Sequence, residues 1–152
     1  FLRPLGLRLD TVGKRAFHLL CGKMRQLFVV DDLKFLRKGG RLSGAAALAG
    51  TLLQIKPILR GDEEGKIVSC GKARGKKAAL VNLALRYGEL ALDKSAPIGI
   101  AHADDEEGTA FLIEELKKQG FSGKCLTVMY EPVTGAHVGP GPVALFFRGK
   151  HK

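Results

Sequence analysis

The chain has 152 residues, enough for one domain with a buried core, and its 45% hydrophobic and 26% charged content is ordinary for a globular fold. No run approaches the ~18 consecutive apolar residues of a membrane span, and Arg3, Pro4, Gly6 and Arg8 break the opening stretch where a secretory leader needs continuity, so a cytoplasmic protein is expected. The formal charge of +10 favours anionic partners, while 7% aromatics without a tryptophan argue against a stacking platform for single-stranded nucleic acid.

In chain order, Asp10 to Met24 carries Val12, Ala16, Leu19, Leu20 and Met24 at helical spacing, and predicts an amphipathic helix capped by Asp10 or Thr11. Asp31 or Asp32 can cap a short helix holding Leu33 and Leu36, which Gly39-Gly40 ends. Ser43 stands where the N-cap of a further helix belongs, ahead of Ala45, Ala46, Ala47, Leu48 and Ala49. Small side chains there permit close approach by another backbone or by a ligand. Leu53–Arg60 and Lys66–Cys70 predict a hairpin around Asp62-Glu63-Glu64-Gly65, with Pro57 implying an edge or irregular position. A long helix follows from Gly75 to about Leu92, with Leu80, Leu83, Ala84, Tyr87 and Ala91 on one face. Pro97–Ala103 predicts a strand, Glu106–Lys118 a helix capped by Asp104 or Asp105, and Cys125–Tyr130 another strand. Glu131–Pro142 reads as a Gly/Pro loop leading to a last strand, Val143–Arg148. The expected class is α+β, a two-layer sandwich of a mixed sheet with helices packed on one face.

Catalytic and metal motifs fail on inspection. Gly61 to Ile67 and Gly71 to Lys77 are each one residue short of a P-loop and lack its Ser or Thr. Cys21, Cys70 and Cys125 are odd in number and widely spaced, which suggests neither a disulfide framework nor a zinc site. His102 beside Asp104 and Asp105 could be drawn as a metal site, but the aspartates fit a helix cap better. No Gly-x-Ser-x-Gly elbow supports a hydrolase. Two loops have more content. Gly39-Gly40-Arg41-Leu42-Ser43-Gly44 places a guanidinium, a hydroxyl and a helix start together, a combination suited to carboxylate or phosphate. His137-Val138-Gly139-Pro140-Gly141-Pro142 is a stiff turn whose glycines admit close approach and whose imidazole can donate to an oxyanion.

Five segments in order carry a resemblance: Phe28 to Leu33, Phe35 to Gly44, Leu53 to Leu59, Lys72-Ala73-Arg74-Gly75-Lys76, and His137 to Gly141. Together they resemble the C-terminal half of the DegV family of bacterial fatty-acid-binding proteins. The resemblance implies residues 1–27 as the join to an N-terminal DegV domain missing from this chain, and residues 28–152 as the lipid-binding domain. It implies a carrier and not an enzyme: a long-chain fatty acid as ligand, no cofactor and no metal. It further implies presentation of the carboxylate to a fatty-acid kinase for phospholipid synthesis, with transient contact at anionic membranes. The headgroup would lie at Arg41, Ser43, His137, Gly139 and Gly141. The acyl chain would be lined by Ala45, Ala46, Leu48, Ala49, Leu52 and Ile55, and Arg74 would face the kinase. Pro142 departs from the small residue usual in the family and removes one backbone donor. The alternative reading, from charge alone, is a basic nucleic-acid-binding domain.

Overall fold

A computed structural model describes residues 23–40, 54–62 and 64–150. In chain order the elements are β1 (Met24–Val29), α1 (Leu33–Lys38), β2 (Ile55–Gly61), β3 (Ile67–Arg74), α2 (Lys76–Leu90), β4 (Ile98–His102), α3 (Glu106–Lys118), β5 (Cys125–Met129), α4 (Pro132–Val138) and β6 (Val143–Arg148). The strands form one sheet in the order β3-β2-β1-β6-β4-β5. Only β4 and β5 run parallel, joined through α3; the other neighbours are antiparallel. This is the mixed-sheet α+β class that the sequence predicts.

Strand alternation sorts the apolar side chains onto two faces. Leu27, Val29, Val143, Leu145 and Phe147 face α2 and α3 and build the larger core. Phe28, Val30, Leu59 and Ala144 face the other way, where Leu36 of α1 and Val138 of α4 cover them. The long helices thus share one face, as expected, while two short ones lie against the opposite face.

Helix α2 buries Leu80, Leu83, Ala84 and Tyr87, the stripe that repeats every three or four residues. Tyr87 meets Phe147 and Phe121 edge-on, with ring centroids 5.1 and 6.0 Å apart, so one aromatic ties α2 to β6 and to the turn after α3. Asp105 caps α3 by accepting from Gly108 N–H at 2.9 Å, and the helix carries acids in its first turn and lysines in its last, both favourable to its dipole. Cys70 and Cys125 are free thiols packed against the larger core, and burial raises the pKa of both.

Two local expectations change. Met24 begins β1 and pairs with Arg148, so the last residue of the predicted helix lies in the sheet, where six paired positions hold β1 to β6. The stretch read as a loop after Glu131 contains α4: Glu131 accepts from Thr134 N–H at 2.9 Å, and Pro132 occupies the first turn, where its missing N–H costs nothing. Pro57 lies on an interior strand, but past the end of the β1–β2 pairing, so its irregular position has a physical basis. The predicted helix over residues 10–22 falls outside the described residues, as does Cys21.

Candidate functional site

Strands β1 and β2 pair only at Phe28–Leu59 and Val29–Ile58. Beyond that point they part, and a cavity of about 860 Å³ occupies the gap between Met24–Phe28 on one side and Arg60–Asp62 on the other. That volume is in the ~300–1,000 Å³ range of small-molecule sites. Because the gap passes through the sheet, both faces contribute walls. Cys70, Arg86 and Leu90 come from the α2 side, and Leu36, Tyr130, His137, Val138 and Phe146 from the side of α1 and α4.

A bulge shapes the outer wall. Ile58 pairs with Gly71 but Leu59 with Ser69, leaving Cys70 as the extra residue of β3. Arg86 donates to the Cys70 carbonyl at 2.5 Å and is steadied by Asn82 one turn earlier, at 3.0 Å. The bulge therefore keeps its carbonyl satisfied beside the cavity.

The polar groups on the other wall come from α4 and the residue just ahead of it. His137 is half-buried in the last turn of α4, with its Nδ1 edge against Gly39 at the end of α1. A side chain at Gly39 would displace the imidazole. Thr134, one turn earlier, is bonded through both its N–H and its hydroxyl to Glu131. Tyr130 also lines the cavity, and burial pushes its phenol up to about 12. It stays a neutral O–H donor at any physiological pH.

The loop after His137 is fixed by two glycines. Gly139 has φ 76° and Gly141 φ 88°, the region that favours glycine. A Cβ on Gly139 would overlap the Phe35 ring, and one on Gly141 would overlap the Asp31 carboxylate. Both N–H groups are spent internally, Gly139 to the Gly135 carbonyl at 2.8 Å and Gly141 to the Ala103 carbonyl at 2.7 Å. These glycines shape the wall around His137, with both of their N–H groups held within the fold.

Of the other sequence-predicted site residues, Ile55 is half-buried and pairs with Arg74, at the end of β2 remote from Arg60–Asp62, so it is not brought to the cavity. Arg74 is exposed at the end of edge strand β3. Arg41, Ser43, Ala45, Ala46, Leu48, Ala49 and Leu52 lie outside the described residues. Buried His102 accepts from the Asp105 N–H at 3.3 Å, which makes it part of the cap of α3; no group of three His, Cys, Asp or Glu is placed to hold a metal among the described residues. Tyr130 and Thr134 were not singled out from sequence. The pair Glu131-Pro132 was the available signal, since an acceptor followed by proline starts a helix.

A mixed sheet opened by a strand gap leaves a half-apolar cavity walled by short helices, of a size that suits a small molecule. The chain belongs to the DegV family, whose sequence profile, described as that of an uncharacterised protein family, matches residues 12–150. The match begins upstream of Phe28, where the recognisable segments start. The DegV domain-containing protein SpyM3_0586 of Streptococcus pyogenes is 40% identical over 116 residues, covering 76% of this chain and 41% of that protein. The fatty acid binding DegV family protein SAG1342 of Streptococcus agalactiae superposes with a TM-score of 0.83 at 35% identity, over 99% of this chain and 53% of that one. The Fak B3 protein of the Streptococcus pneumoniae fatty acid kinase system, loaded with linoleic acid, shares the fold at TM-score 0.80 and 22% identity, over 98% of this chain and 52% of its own. The chain thus spans about half the length of the relatives it matches. Among the described residues, no helix is long and apolar enough to cross a membrane.

Proposed function

We propose that this chain binds a long-chain fatty acid, its acyl tail in the gap between β1 and β2 and its carboxylate on the side of His137 and Tyr130. The observation that carries the reading is the cavity itself, with Leu36, Val138 and Phe146 beside two polar groups able to donate to a carboxylate. Burial contributes ~0.8 kcal/mol per methylene, so about a dozen methylenes give on the order of 10 kcal/mol before ordering costs. The tail then supplies affinity, and the polar groups fix which end lies where. Arg41 and Ser43 complete the carboxylate contacts, and the small-residue segment from Ala45 to Leu52 borders the chain. A binding role needs no nucleophile and no cofactor.

The finer reading extends the resemblance. The carboxylate is presented to a fatty-acid kinase that docks beside exposed Arg74, with the remaining hydroxyl contacts supplied by an N-terminal DegV domain. The +10 charge suits approach to anionic membranes and to acyl phosphate. The experiment is displacement of a fluorescent polyene fatty acid by oleic acid. Saturable binding reversed by oleic acid is expected; no binding of either would contradict the reading, and salt-sensitive binding of an oligonucleotide in its place would favour the nucleic-acid alternative.

A further inference from the structure

Lys76 occupies an unusual place. It is the first residue of α2, where the helix dipole disfavours a cation, and the N-cap, Gly75, has no side chain to offer. Its side chain is three-quarters buried, and its ammonium holds three partners from three parts of the fold. It pairs with Asp31 at 2.8 Å and with Asp105 at 2.6 Å, and donates to the Gly141 carbonyl. Burial alone would lower its pKa, but the bonds to Asp105 and Asp31 outweigh that and raise it. Asp31 in turn takes Lys56 at 3.1 Å and packs against the α-carbon of Gly141.

These contacts converge on one place. Asp31 begins the segment that becomes α1, whose far end, Gly39, abuts the His137 imidazole. Gly141 ends the loop that follows His137. Asp105 is the cap of α3, rooted in the sheet. The same ammonium therefore ties the entry of α1 and the exit of α4 to the starts of α2 and α3, and the first two segments form the frame of His137.

We infer that Lys76 is a positioning residue for recognition of the ligand's carboxylate, acting through the placement of His137 without touching the ligand. The inference rests on the fatty-acid reading and names how that site tells an acid from a neutral lipid. Lys76→Met keeps much of the apolar stem and removes the charge. Oleic acid and oleyl alcohol share a tail and differ in the headgroup, so their affinities separate headgroup recognition from tail burial.

The test is a double-mutant cycle on the full chain with His137→Ala, read for both lipids. Lys76→Met is expected to weaken oleic acid about tenfold, the worth of one bond to a charged group, and to change oleyl alcohol less than about twofold. In the His137→Ala background the same substitution should have almost no further effect on the acid, and Lys76→Arg should restore part of the loss. Equal losses for acid and alcohol, or losses that add across the cycle, would overturn the positioning role. Wild-type chain that binds neither lipid would overturn the fatty-acid reading, and this inference with it.

Discussion

His137 is defined more by what surrounds it than by its own helix. Gly39 on one side and Gly139 and Gly141 on the other leave room for the imidazole, for Phe35 and for Asp31. Replacing His137 by Ala should weaken a fatty acid by ~1.5–3 kcal/mol, measured by titration calorimetry, while leaving the melting temperature nearly unchanged. Tyr130 carries a second prediction. A pKa raised in the fold means that stability is complete below the unfolded value and is lost as pH rises through the folded one. With Tyr130 moved from 10.0 to about 12, the folded chain should lose stability from about pH 10 upward, and Tyr130→Phe should flatten that decline in urea titrations; an unchanged slope would contradict the assigned burial. His137 was legible in the sequence because glycine and proline mark its loop. Tyr130 was not, because its burial depends on α4 folding back over it. The sequence shows Lys76 only as part of the Lys72-Ala73-Arg74-Gly75-Lys76 segment, since its partners Asp31 and Asp105 lie far away along the chain.

At the scale of elements, the strands and long helices were legible wherever local pattern and tertiary demand agree. Glu106–Lys118 and Val143–Arg148 match the sequence expectation to the residue, because each has its own cap or alternation. Met24, expected to end a helix, begins β1 because its pairing with Arg148 of β6, a distant segment, outweighs local spacing. Helix α4 was missed because glycine and proline dominate the eye, although Glu131 and Pro132 supply a start. The cavity could not be read at all, since it exists only where β1 and β2 part. The bulge at Cys70 lies beside that gap. Arg86→Leu should cost ~1–3 kcal/mol by leaving the Cys70 carbonyl unpaired, seen as a lower denaturation midpoint at constant slope. No change in the midpoint would show that water replaces the guanidinium.

At the scale of the whole molecule, charge and exposure point outward from the cavity. Within the fold Lys56 and Lys76 are paired with Asp31 and Asp105; these two cations and two anions cancel, so the remaining groups still carry the full +10. Arg74 is exposed on an edge strand, away from the cavity walls. Arg74→Glu should therefore abolish binding to a fatty-acid kinase in a pull-down while leaving bound lipid unchanged; loss of both would place Arg74 in the lipid site. The central claim, that this chain holds a fatty acid, is tested most directly by organic extraction of the purified protein and mass spectrometry of the extract, calibrated per mole of chain. Near-stoichiometric long-chain fatty acid is expected. Protein free of fatty acid, and remaining so after incubation with oleic acid, would contradict it.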